Sequence, residues 1–336
     1  MYRLIRPLLF CLDPETAHLL TLRILRFMGA IPPLNWAIAK AFAAPPKPVA
    51  AFGLTFRNPV GLAAGYDKDA IAVRGLTALG FGHIEVGTVT PRPQEGNPRP
   101  RLFRLVEDQA VINRMGFPGK GAEYISNQLS VIGHRRADCI IGVNLGKSKD
   151  TLLEEAAGDY ISVMRRFMPL ADYLAINVSS PNTIGLRRLQ SRDMLEKLLG
   201  QIAGERGGWR VKRPILVKIA PDLNSGELDD ALDVILRAGM DGVIAANTTL
   251  GREGLRSELR EEPGGLSGSP LRVRSEAVLC EVVKRVEGKI PVVSVGGIMS
   301  PEDAKRRLDM GATLVQVYTG LVYTGPGLVQ RIIRAV

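Results

Sequence analysis

The sequence predicts an α/β protein, a (β/α)8 barrel of TIM type preceded by a helical extension. Three observations lead there. Short apolar runs alternate with amphipathic stretches eight times after residue 50. The polar residues of this region gather just past the apolar runs, where a barrel keeps its chemistry. No G-x-G-x-x-G occurs, and a doubly wound open sheet would need fewer repeats and an early glycine fingerprint. At 336 residues with 46% hydrophobic residues, the chain is long enough for such a core.

Residues 1–44 read as short helices. Asp13-Pro14 looks like an N-cap with proline at the first helical position, and Gly29 is a plausible stop. Ala17, Leu20, Ile24, Phe27 and Met28 share one face of this helix, while His18, Leu22 and Leu25 share another. A second helix is expected over 35–42, with Trp36 and Phe42 as apolar anchors. Pro45-Pro46-Lys47-Pro48 makes a stiff break, which sets the domain division at 1–44 and 45–336. The alternative is that these helices simply cap the barrel, but they carry more apolar surface than capping requires.

A hairpin-like pair over 49–56 opens the second part. Strands are expected at 60–64, 84–88, 140–145, 173–178, 215–219, 242–247, 292–295 and 314–318. Helices are expected between them, among others at 119–132, 152–167, 225–238, 272–286 and 301–308.

The formal charge of +10 calls for an anionic partner: phosphate, nucleic acid or an acidic membrane surface. In the first fifty residues Arg3, Arg6, Arg23, Arg26, Lys40 and Lys47 face only Asp13 and Glu15, mixed with Leu, Ile, Phe and Trp. No run approaches the roughly 18 apolar residues of a membrane span, and Arg6 and Asp13 interrupt any signal-peptide core. A segment that lies on a membrane without crossing it fits best. Nucleic-acid binding is disfavoured, because aromatic content is 5% and the basic residues are spread along the chain. Three scattered cysteines and three scattered histidines match no metal or redox spacing, so no metal is expected and a reducing cytoplasm is.

The strand ends supply the chemistry. Strand one runs into Ala64-Gly65-Tyr66-Asp67-Lys68, and strand two ends in Thr88. Strand three ends in Asn144, and strand four in Asn177-Val178-Ser179-Ser180-Pro181-Asn182-Thr183. Strand five carries Lys218, and Ala246-Asn247-Thr248 follows strand six. Amides donate and accept at once, so a ring of them can read a flat ligand with alternating N–H and C=O groups. Gly296-Gly297 and Tyr318-Thr319, after strands seven and eight, have the position and composition of a phosphate cradle, and Gly264-Gly265-Leu266-Ser267-Gly268 brings further backbone close. A phosphate site without a dinucleotide fingerprint points to a mononucleotide, FMN being the usual one in such barrels. Lys218 then either stabilises negative charge building near flavin N1 and O2 or makes an internal ion pair. Lys68, flanked by Asp67 and Asp69, either serves the ligand or pairs its neighbours.

Taken together, residues 61–65, 85–93, 113–117, 177–182 and 264–268 closely resemble the motifs of the dihydroorotate dehydrogenases. The likeness is to the quinone-linked, membrane-associated class 2 of the bacterial type, and it covers essentially the whole chain. It implies oxidation of dihydroorotate to orotate in pyrimidine (UMP) synthesis. It also implies FMN held by Ala64, Gly65, Lys68, Thr88, Asn144, Asn177, Lys218, Gly268, Gly297, Tyr318 and Thr319, with Tyr66, Asp67 and Ala246 as neighbours. Substrate would contact Lys68, Asn113, Arg114, Met115, Gly116, Phe117, Asn177, Asn182, Asn247 and Thr248, with Ser180 as base and Thr183 in its proton relay. A ubiquinone or menaquinone would enter between the N-terminal helices, near His18 and Arg104, in a monomer held peripherally on acidic lipid at the cytoplasmic side of the cell membrane. Class 1 enzymes resemble the barrel but use a cysteine base, and no cysteine lies near this motif. Two departures stand out: Tyr66 occupies a position where leucine is the bacterial pattern, and Ala246 one where threonine is.

Overall fold

A computed structural model describes residues 2–133 and 139–336. Eight parallel strands close into a barrel in sequence order: Val60–Leu62, His83–Val89, Ile140–Leu145, Tyr173–Asn177, Ile215–Ile219, Gly242–Ala245, Val292–Val295 and Leu314–Val317. The eighth strand pairs with the first through Val315 opposite Val60 and Val317 opposite Leu62. Every expected strand is present, most of them within one or two residues of the expected limits.

Alternation along these strands sorts side chains into two cores. Outward residues such as Val60, Leu62, Ile84, Ile141, Leu174 and Val217 pack beneath the helices. Inward residues, including Tyr173, Leu216, Ile244, Val293 and Leu314, form a second cluster with Phe56 and Ala51. The latter two belong to the hairpin Val49–Ala51/Leu54–Phe56, which therefore packs against the barrel interior. The helices start where the sequence supplies caps: Asn224 and Glu227 make a capping box before Ser225–Arg237, and Ser300 and Asp303 make one before Pro301–Asp309.

The extension consists of helices Tyr2–Phe10, Pro14–Ala30 and Pro32–Ala41. Asp13 caps the second through Thr16 N–H at 2.9 Å, as its sequence predicts, and the helix passes Gly29 by one residue. Its docking depends on absent side chains: a Cβ on Gly75, in helix Val73–Ala78, would collide with the Leu25 carbonyl. Leu22 is buried there, whereas Leu20, Ile24 and Phe27 on the other face are exposed. Trp36 is not an anchor. It is 64% exposed, with the Lys40 ammonium 4.9 Å from its ring centroid, because the helix turns that face away from the barrel.

One element was not foreseen. Strands Leu102–Leu105, Ala110–Asn113 and Gly265–Gly268 form a separate antiparallel sheet. It carries Asn113 and Gly268 to the cavity at the C-terminal rim of the barrel.

Candidate active site

The ends of strands one, two, four, five, six, seven and eight converge on one cavity, together with the antiparallel sheet. Its empty volume is about 1040 Å³ including the open mouth, ample for a mononucleotide with a small ring beside it. Ala64, Gly65, Lys68, Thr88, Asn113, Met115, Gly116 and Phe117 line it. So do Asn177, Ser180, Asn182, Lys218, Ala246, Asn247, Thr248, Gly268, Gly297, Tyr318 and Thr319. Seven expected residues stand outside this lining: Thr183 of the expected proton relay, the quinone candidates His18 and Arg104, and four expected cofactor or substrate neighbours. Asn144 is fully buried, Asp67 accepts N–H bonds from Ile71 and Ala72 at 2.9 and 2.8 Å, Arg114 pairs with Glu262, and Tyr66 faces the helical extension.

The floor is a connected polar network. Asn144 Nδ2 donates to Glu85 Oε1 at 2.8 Å, and Thr88 Oγ1 donates to Asn144 Oδ1 at 2.6 Å. Asn177 Nδ2 donates to Thr88 Oγ1 and Asn144 Oδ1 at 3.0 and 3.1 Å. Ser179 Oγ donates to Asn177 Oδ1 at 3.1 Å and accepts from Asn247 Nδ2 at 2.8 Å. Strands two, three, four and six are thereby tied together, so the amides cannot turn independently. From behind, the Tyr160 hydroxyl of helix Ala156–Phe167 donates to the Asn177 carbonyl at 2.8 Å.

Glu85, Ser179 and Gln316 are the members that motif reading missed. Glu85 accepts from Asn144, from Tyr173 OH at 3.0 Å and from Gln316 Nε2 at 2.9 Å, and lies 3.9 Å from Lys218 Nζ. An acid inside the apolar run Ile84-Glu85-Val86 was the available signal. Lys218 thus both lines the cavity and has a carboxylate beneath it. Burial lowers its pKa, and Glu85 works against that shift.

Above this floor lies the loop after strand four. Ser180 is 5% exposed, and its Oγ accepts the Asn182 N–H at 3.2 Å, which leaves the hydroxyl hydrogen facing elsewhere. Asn182 Nδ2 donates to Asn113 Oδ1 at 2.8 Å, joining the loop to the antiparallel sheet. Asn182 Oδ1, Thr183 Oγ1, Thr248 Oγ1 and Gln316 Oε1 are buried without partners, although polar atoms in a dry interior ordinarily find one. Three of these residues line the cavity, the signature of a site built for a polar ligand. Lys68 Nζ donates to the Gly65 carbonyl at 2.6 Å, and burial lowers its pKa to about 8, with Asp69 the largest opposing influence.

Toward the helical extension runs a line of rings. His18 and Tyr66 have centroids 5.0 Å apart, and Tyr66 and Tyr318 5.4 Å apart, both edge-on. Tyr318 lines the cavity, so the line connects helix Pro14–Ala30 to it. Burial drops His18 to a pKa of about 3, helped by the Lys68 charge, so the imidazole is neutral at physiological pH. Arg104 sits over the Phe10 ring at 4.5 Å and donates to the carbonyls of Leu9 and Leu12.

A closed parallel barrel with an amide-lined cavity at its C-terminal rim, bounded by glycine turns after strands seven and eight, defines an α/β-barrel enzyme with its site at that rim. The family model described as dihydroorotate dehydrogenase matches residues 48–336, and the chain belongs to that family. A Halorhodospira halophila protein named dihydroorotate dehydrogenase (quinone) is 48% identical over 100% of this chain and 97% of its own length. The Thermus thermophilus protein of the same name is 50% identical over 97% of this chain and 93% of its own. A crystal structure of DHODH from Eimeria tenella in complex with ferulenol superposes with a TM-score of 0.84 at 39% identity, covering 95% of this chain and 89% of that one.

Proposed function

We propose that this chain oxidises (S)-dihydroorotate to orotate for pyrimidine synthesis, with FMN as hydride acceptor and a membrane quinone as final electron acceptor. The observation that carries this reading is the pairing of unsatisfied Asn182 Oδ1 and Thr248 Oγ1 with the amides of Asn113, Asn177 and Asn247 around one cavity. A dihydropyrimidine ring presents alternating N–H and C=O groups, and the unpartnered Asn182 Oδ1 can accept from an N–H while Thr248 Oγ1 can accept or donate.

The residues also suit FMN. A Cβ on Gly297, whose φ is +72°, would collide with the Arg272 backbone, and one on Gly268 with the Gln109 carbonyl. Backbone therefore forms this end of the cavity, as a phosphate site requires. Ala64, Gly65, Thr88 and Lys218 would hold the ring system, and Gly268, Gly297, Tyr318 and Thr319 the phosphate. When bound, FMN supplies a two-electron acceptor for the hydride from substrate C6. Lys218 sets a fixed ammonium at the cavity floor, and the network through Glu85 and Asn144 keeps it in place. Lys68 offers a second cation, suited to the substrate carboxylate.

The four amides hold the substrate ring flat, which is the positioning role that dominates such steps. Ser180 takes the C5 proton. Serine is a weak base unaided, and the buried, unpartnered Thr183 hydroxyl three residues on supplies the next stop for the proton through a water. The electrons leave toward the helical extension, residues 1–44, where the ring line His18–Tyr66–Tyr318 marks the approach and Arg104 borders the first helix. Ten of the eighteen large hydrophobic side chains exposed among the described residues lie in the first 36 positions, which supports peripheral seating on an acidic cytoplasmic leaflet. No helix among the described residues is long and apolar enough to cross a membrane. We take the unit to be a monomer.

Steady-state oxidation of dihydroorotate with ubiquinone or menaquinone, fumarate or NAD as sole acceptor tests the assignment. Turnover with quinone alone is expected. Turnover with fumarate or NAD but not quinone would assign a class 1 activity instead.

A further inference from the structure

The two ends of the cavity are charged differently. Its ionised lining residues are Lys68 and Lys218, after strand one and on strand five. The turns after strands seven and eight contribute Gly296, Gly297, Tyr318 and Thr319 and no charged side chain to the lining. A phosphate dianion at that end would need a cation from elsewhere.

Directly behind the glycine turn lies Arg307, on helix Pro301–Asp309 and fully buried. Its guanidinium donates to the Gly296 carbonyl at 3.0 Å, the Arg272 carbonyl at 3.0 Å and Ser275 Oγ at 2.8 Å, all neutral acceptors. Its Nε makes no hydrogen bond. The carboxylate facing that atom, Glu276, stands 3.5 Å away and is engaged by Arg306 at 3.0 Å. Asp303 in turn takes Arg306 at 2.9 Å and Arg272 at 3.5 Å. The cluster therefore sets three guanidiniums against two carboxylates, an excess of one positive charge. An under-neutralised buried guanidinium is costly unless an anion completes it.

We propose that Arg307, with Arg272 beside it, is the cationic backing of the phosphate site, holding the Gly296–Gly297 turn in place and supplying through it the charge that balances the FMN phosphate. This rests on the FMN reading above. Arg307 acts here as a positioning residue, since the turn stands between it and the cavity. The rival role is a strut that ties the helix to strand seven, with no electrostatic part.

Opposite-sign substitutions separate the two. In the purified holoenzyme, FMN release is followed by the rise of free-flavin fluorescence, and the bound phosphate by its phosphorus resonance across pH. Arg307→Met and Arg272→Gln should each speed release at least tenfold, since at an effective dielectric of about 20 one unit charge is worth tenfold even at about 12 Å. Glu276→Gln, which raises the cluster's charge, should slow it. In the native holoenzyme the phosphate should stay dianionic well below the usual second pKa of about 6, and that limit should move up in both arginine variants and down in Glu276→Gln. Arg307→Lys should recover part of both effects. Arg272 and Glu276 are partly exposed side chains, so the test survives if Arg307→Met fails to fold. A faster release in Glu276→Gln, or a phosphorus titration identical in all variants, would reduce the cluster to a strut. Protein whose bound flavin carries no phosphorus would instead overturn the FMN reading, and this inference with it.

Discussion

Ser180 is buried, has a spare hydroxyl hydrogen and lines the cavity within the loop that also carries Asn182. On the proposed mechanism its removal takes away the proton acceptor and leaves the residues proposed to hold FMN intact. Ser180→Ala is expected to retain full flavin content while anaerobic reduction by dihydroorotate slows by about 10²–10⁴-fold; unchanged reduction would remove Ser180 from the chemistry. Lys68 gives a pH signature. Burial lowers its pKa to about 8, so it is cationic below that pH and neutral above it. The KM for the anionic substrate should therefore rise as pH passes upward through about 8, and Lys68→Met should flatten the rise. Burying that ammonium also costs stability, so this residue alone makes the protein more stable as pH climbs from about 8 toward the unfolded lysine value. These residues were legible in the sequence because each follows an apolar run, where a barrel exposes side chains at its rim. Glu85 and Gln316 were not. They lie inside their runs, and alternation does not say which inward position meets a lysine or an amide.

At the scale of elements, the docking of helix Pro14–Ala30 combines buried Leu22 and a glycine contact with two ion pairs made by one glutamate. Glu15 is buried and binds Arg101 at 2.8 Å and Arg99 at 3.0 Å. Burial pushes the Glu15 pKa up, but the two arginines outweigh it and hold it below the ordinary value. Its stabilisation is thus present above the unfolded glutamate pKa and disappears as pH falls through the lowered one. Glu15→Gln should cost about 1–3 kcal/mol, a charge-assisted bond at a partly solvated site, and should quicken proteolysis within residues 1–44. A variant with unaltered proteolysis would show that the apolar and glycine contacts carry the docking without the ion pairs. The helix and its cap could be read from Asp13-Pro14. The antiparallel sheet could not, because its third strand, Gly265–Gly268, comes more than 150 residues after Ala110–Asn113, so the pairing is invisible to local pattern. Trp36 failed as an anchor for a related reason: an aromatic residue on a helix with apolar residues on several faces does not reveal which face docks.

Across the whole molecule, a rigid barrel holds the cavity while three helices leave apolar residues uncovered. Removing residues 1–44 should abolish quinone turnover and vesicle binding yet spare flavin reduction by dihydroorotate, provided the exposed Gly75 surface does not aggregate the barrel. Quinone turnover retained by a soluble truncated enzyme would separate the helices from the second half-reaction. The central assignment is tested most directly by mixing the purified, oxygen-free protein with dihydroorotate and recording its visible absorption. The account predicts a yellow protein whose flavin band bleaches completely with one equivalent of substrate, releasing orotate. A colourless protein, or a flavin band that persists in excess dihydroorotate, would contradict it.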